Sequence, residues 1–111
     1  MRYALLIIKS DSEPVADAGP EFDALVRWWA SLRAAGKLIA STQLGPRGTA
    51  STVSWRAQVP IVSDGPFLES KETVGGFAVL EVESKKEAIE IASSWPSPAR
   101  FRIEVRPVQD G

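Results

Sequence analysis

Tyr3-Ala4-Leu5-Leu6-Ile7-Ile8 is a continuous apolar run near the start of the chain, of strand length and rich in branched side chains. Side chains alternate along a strand, so both faces of this one are apolar. A second stretch, Gly76 to Val82, repeats the pattern, with Phe77 and Val79 on one side and Ala78, Leu80 and Val82 on the other. Strands of this kind need cover on two sides and belong at the centre of a sheet.

Outward from the first run, Lys9-Ser10-Asp11-Ser12-Glu13-Pro14 is polar and contains a proline that cannot continue a central strand. A solvated loop is expected through Gly19. Pro20 suits a first helical position, and Glu21 and Asp23 set negative charge against the positive end of the helix dipole. Phe22, Leu25, Val26, Trp29 and Leu32 recur at the spacing of one helical face, with Trp28 beside it, and Asp23, Arg27 and Arg33 are free to point to water. Gly36 is a natural stop. Leu38 to Thr42 is a short second strand, closed by Gly45-Pro46-Arg47-Gly48. Thr49 to Arg56, turned back at Ala57-Gln58 into Val59 to Val62, reads as a small hairpin with Pro60 marking its second arm as an edge.

Gly75-Gly76 precedes the second doubly apolar strand and leads into no helix, so a bulge or a close backbone approach explains it better than a phosphate loop. Ser84-Lys85-Lys86-Glu87 is a capping box that starts a helix with Ala88, Ile91, Ala92 and Trp95 as its buried stripe. Trp95-Pro96-Ser97-Pro98 stops it. Phe101, Ile103 and Val105 then alternate with Arg102, Glu104 and Arg106, a strand with one wet or ligand-facing side.

The order β, α, β, hairpin, β, α, β is that of an α+β, ferredoxin-like βαββαβ domain with an inserted β-hairpin, both helices lying on one face. Two helices cover only one side of such a sheet. A second copy is the simplest cover for the other, since an exposed apolar sheet of this size exceeds the patch a monomer usually shows. A homodimer is therefore expected.

At 111 residues the chain is one domain, residues 1–111, by the usual length prior. Its 44% apolar and 24% charged residues exclude disordered and collagen-like classes. Net charge is −1, and Lys and Arg form no cluster, which argues against direct nucleic-acid binding. The absence of cysteine removes disulfides, thiolate zinc sites and thiol nucleophiles, and the absence of histidine removes the commonest general base and nitrogen ligand. No metal and no cofactor is expected. The apolar opening is far shorter than the ~20 residues of a membrane helix, so no membrane association and a cytoplasmic location are expected.

Turn formers and reactive polar groups concentrate between Val62 and Gly76. Asp64-Gly65-Pro66 forces a bend, and Phe67 is an apolar anchor just past it. Asp64 is the leading catalytic candidate, as acid, base or cation anchor; alternatively its carboxylate only stabilises the turn. Glu69 and Lys71 sit two apart and either pair at the surface or face a ligand. Arg106 is suited to grip an anion with a bidentate fork or to pair with Glu104. Ser41 offers a hydroxyl to a pocket, and Tyr3 is expected to reach the rim.

Asp64-Gly65-Pro66-Phe67, then Glu69, Lys71-Glu72 and Gly75-Gly76-Phe77, resembles the DGPF-type branch of the YCII-related domain family. The opening Met1 to Ile7, the step Ala35-Gly36-Lys37-Leu38-Ile39 and the ending Ile103 to Val108 fit the same pattern, so the likeness spans nearly the whole chain. The resemblance implies a dimeric α/β-barrel relative. Some YCII-related proteins are thought to use a histidine and aspartate pair. This chain has no histidine, so Asp64 matches the motif without an implied catalytic role. Two functions follow as expectations. One is binding of a small anionic or aromatic metabolite in an inter-subunit cavity near Asp64, Phe67 and Arg106. The other is a non-enzymatic interaction module linked to sigma-factor transcription, implied by the company that DGPF-type domains keep.

Overall fold

The computed structural model describes residues 1–10, 17–66 and 72–109. Eight elements follow one another: β1 (Arg2–Ser10), α1 (Gly19–Ala34), β2 (Leu38–Gln43), β3 (Ser51–Arg56), β4 (Val59–Asp64), β5 (Glu72–Glu81), α2 (Lys85–Ser93) and β6 (Phe101–Pro107), with a short 3-10 turn at Arg47–Thr49 before β3. Four strands form an antiparallel sheet in the order β2-β5-β1-β6, and β3 and β4 pair separately. This is the ferredoxin-like βαββαβ order with a hairpin inserted between β2 and β5. The two doubly apolar strands are the central pair, as their patterns require. β5 starts at Glu72, four residues before its expected start.

One sheet face carries the core. Tyr3, Leu5 and Ile7 of β1 pair across with Leu80, Ala78 and Gly76 of β5 and with Pro107, Val105 and Ile103 of β6. Leu5, Ala78, Leu80 and Ala88 have no exposed surface, and Leu32 packs with them from α1. A second cluster of Ile7, Leu25 and Trp95 adjoins the first, with Trp28, Trp29 and Ile103 touching both. Trp28, Trp29 and Trp95 meet edge to face at centroid distances of 4.8 to 6.0 Å, a geometry that the ring quadrupole favours. Trp28 Nε1 donates to Ser94 Oγ at 2.9 Å, which gives the indole at the edge of the core its polar partner.

The helix ends explain their boundaries. Pro20 lies in the first turn of α1 with Glu21 beside it, and Gly36 adopts φ +71° just past the last turn. Ser84 Oγ accepts the Glu87 amide at 3.1 Å. The reciprocal half of the capping box is not made in this form, because the Glu87 carboxylate turns to Lys37 Nζ at 3.3 Å and ties α2 to the start of β2. Ser97, the buried polar residue of the loop before β6, donates to Glu21, which also pairs with Arg100 Nε at 3.6 Å.

Among the described residues no helix lies over the opposite sheet face. Ala4, Leu6 and Ile8 lie there beside Val79, Phe77 and Val74, and Arg106, Glu104 and Arg102 line its β6 edge. The smallest extent of the chain is 19 Å, room for one helix layer and one sheet layer spaced ~10 Å apart and no third. The hairpin therefore extends sideways. Its radius of gyration effect is large: 16.0 Å for the chain against the ~13 Å of a compact domain this long. Ala57 and Gln58 make the two-residue turn, at φ +48° and +69°, the signs that a type I′ hairpin turn demands.

Candidate functional site

Two glycines and one helix face make the site. β1 and β5 lose register at Ile7/Ile8, opposite Gly75, so the glycine pair forms the bulge its sequence suggests. A Cβ on Gly76 would stand 2.6 Å from the Thr42 carbonyl oxygen, closer than real Cβ atoms come to backbone. Hence β2 can press against β5 only where residue 76 has no side chain. Without side chains at 75 and 76 the helix-side surface of the sheet dips, and a cleft of about 620 Å³ opens between that dip and α1.

α1 supplies the opposite wall. At 3.6 residues per turn, Phe22, Val26, Trp29 and Arg33 fall on one line, and Leu25, Trp28 and Leu32 on another about 90° away. The second line enters the core. The first lines the cleft, which is why Phe22 remains 38% and Val26 49% exposed although both belong to the apolar stripe. Trp95 and Phe101, with centroids 5.4 Å apart, close the inner end. The buried Trp95 Nε1 has no acceptor among the described residues, a cost of about 1–3 kcal/mol left in this wall.

Polar groups gather on the cleft's sheet side and rim: Lys9 at the end of β1, Ser41, Thr42 and Gln43 at the end of β2, and Arg33 and Asp17 from around α1. Neither Lys9 nor Arg33 has an ion-pair partner among the described residues. Among the described lining residues, two cations thus face an apolar, aromatic-walled space against one carboxylate. Among the described residues no three of His, Cys, Asp and Glu come together to hold a metal ion, and no helix is long and apolar enough to cross a membrane.

Of the residues singled out from sequence, the four that are described, Tyr3, Ser41, Asp64 and Arg106, do not converge. Ser41 lines the cleft. Tyr3 lies in the main core at 5% exposure, on the helix side of the sheet and outside the lining of the cleft; the strand places it there because Tyr3, Leu5 and Ile7 share the buried face. Asp64 ends β4 opposite Ser51 and is exposed. The corner after it is held by Gly65 at φ +94°, whose amide donates to the Ala50 carbonyl at 2.7 Å, and by Thr52 Oγ1 donating to the Gly65 carbonyl at 2.6 Å. Arg106 lies opposite Ala4 on the open face, across the sheet from the cleft. Phe67, Glu69 and Lys71 lie outside the described residues. Sequence reading passed over Lys9, Phe22, Val26, Trp29 and Arg33 as site residues. The available signal was the width of the α1 stripe, too broad for a single buried face.

The order of strands, one-sided helix layer and ligand-sized cleft define a small α+β domain of the ferredoxin-like kind. The chain belongs to the YCII-related domain family, whose profile matches residues 1–110. It is 33% identical over 114 residues to the uncharacterized protein R00369 of Rhizobium meliloti (strain 1021), covering 97% of this chain and 92% of that one. Among solved structures it is similar to the 5-chloro-2-hydroxyhydroquinone dehydrochlorinase TftG of Burkholderia phenoliruptrix AC1100, in complex with 2,5-dihydroxybenzoquinone. The TM-score is 0.52 at 18% identity, over 100% of this chain and 96% of that one. At that identity the likeness concerns the fold.

Proposed function

We propose that this protein binds a small, planar, anionic aromatic metabolite in the cleft between α1 and the sheet. The observation that carries the reading is the pairing of an aromatic wall, Phe22, Trp29, Trp95 and Phe101, with two cations, Lys9 and Arg33, that have no ion-pair partner among the described residues. The volume lies within the ~300–1,000 Å³ of small-molecule sites. An aromatic ring stacks on indole faces, and its acidic oxygens accept charge-assisted hydrogen bonds from the cations and further ones from Ser41 and Gln43. The neighbour of like fold, solved with a small oxygen-bearing ring, supports this class of ligand. The Asp64-Gly65-Pro66-Phe67 string supports placing the chain in the DGPF-type branch of its family.

Calorimetric titration with 2,5-dihydroxybenzoate and with neutral hydroquinone tests the proposal. The anion should bind and the neutral ring more weakly, and Lys9→Gln with Arg33→Gln should weaken the anion at least about tenfold, as loss of a charged hydrogen bond does. If neither compound binds, or the double variant binds the anion as the natural chain does, the reading is wrong.

We also infer that a second copy covers the open sheet face. Leu6, Ile8, Phe77 and Val79 make it apolar, and the charged β6 residues stand along one edge only, the arrangement of an apolar interface centre with a polar rim. Light scattering on the eluting protein at micromolar concentration should give twice the chain mass; a mass of one chain would count against it.

A further inference from the structure

The hairpin β3-β4 is a second apolar surface with no other element of the described residues upon it. Val53 pairs with Val62 and Trp55 with Pro60, so these four share one hairpin face. Val53, Trp55 and Val62 are 48%, 68% and 67% exposed. Between Ser51 and Ser63 the single charge is Arg56. Interface centres have this composition, an aromatic anchor with charges depleted, and solvated surfaces do not. An isolated two-stranded ribbon is also marginal in water, so the face needs a partner to be ordered. Pro60 removes an amide from β4, which discourages pairing along that edge and leaves the face as the surface to cover.

We propose that the hairpin is an arm with which each copy of this chain grips a second copy, laying the Val53-Trp55-Pro60-Val62 face on the partner's body. The proposal rests on the sheet-to-sheet pairing inferred above and adds what that pairing lacks. Four strands about 4.8 Å apart and about seven residues long present roughly 450 Å², short of the ~800 Å² per partner that a stable interface buries. One face of the arm adds about 200 Å², and the reciprocal arm covers about as much again. The sheet and two arms together reach the size of a stable two-fold interface; the sheet alone does not.

Sedimentation over a dilution series tests this with the full chain. The double variant Trp55→Ser, Val62→Ser should raise the dimer dissociation constant at least ~100-fold, since a buried aromatic anchor is lost twice in a two-fold assembly. A dissociation constant within about threefold of the natural chain's overturns the arm and leaves the sheet pairing standing. A natural chain that sediments as a monomer throughout overturns both. A second reading needs no destabilising change: the emission that Trp55→Phe removes should move to longer wavelength as the natural dimer is diluted apart, and an unmoved emission overturns the arm.

Discussion

Three tryptophans, Trp28, Trp29 and Trp95, meet edge to face inside the body, and the fourth, Trp55, stands two-thirds exposed on the hairpin. Both regions are built from alternating or doubly apolar strands, so the difference lies in what covers them. In the body α1 and α2 return over the sheet and the indoles fill the gap between layers. In the hairpin the described chain returns only upon itself, through Ala57 and Gln58, and a two-stranded ribbon has no second layer to offer. Apolar pattern measures how much a segment needs to be covered, and connectivity decides whether its own chain can do so.

The contrast is open to attack by substitution, most forcefully in the body. Leu80 is fully buried between sheet and helices, and Leu80→Ala should cost about 4 kcal/mol in urea unfolding; a loss below about 1 kcal/mol would mean that the body is not the tightly packed partner in the comparison. Gly76→Ala forces a methyl group toward the Thr42 carbonyl and should cost about 2–3 kcal/mol. In NMR spectra the shift changes should concentrate on β2 and the cleft, and an unperturbed Thr42 would show that the close approach does not bind the two strands. Ser84→Ala removes the acceptor of the Glu87 amide and should cost about 1 kcal/mol, read by thermal unfolding with α2 amides exchanging faster. The smallest effect belongs to the arm. Gln58→Gly relieves a non-glycine residue at φ +69° and should slow amide exchange in β3 and β4 by up to about fivefold, roughly 1 kcal/mol, without moving the global unfolding midpoint. A raised midpoint would show that arm and body fold as one unit.

Most of the strands and both helices were legible because each rests on a local signal. The β1 pattern, Pro20 and Gly36 around α1, Ser84 before α2, and the two-residue turn at Ala57-Gln58 each act within a few residues. Gly75-Gly76 was legible as a bulge or close approach for the same reason, since residues without a Cβ let another backbone come near. The cleft was far less so. Ser41 was named, but Lys9, Arg33 and the Phe22-Val26-Trp29 line come from elements distant in sequence that meet only when α1 crosses the sheet. The concentration of polar residues around Asp64 drew attention to the foot of the hairpin, and Arg106 to the far side of the sheet. Local density of reactive side chains does not report which face they share.

The amino-acid sequence alone determined the kinds and order of the elements, the central place of β1 and β5, and the surplus of apolar surface over what two helices hide. These depend on backbone sterics and on alternation along single segments. Only the tertiary structure decided that the glycine dip and one line of α1 enclose a space, that its cations come from the ends of β1 and α1, and that the hairpin projects beside the body instead of folding over it. Those outcomes depend on distances between segments far apart in the chain, which layer packing sets and no local pattern records.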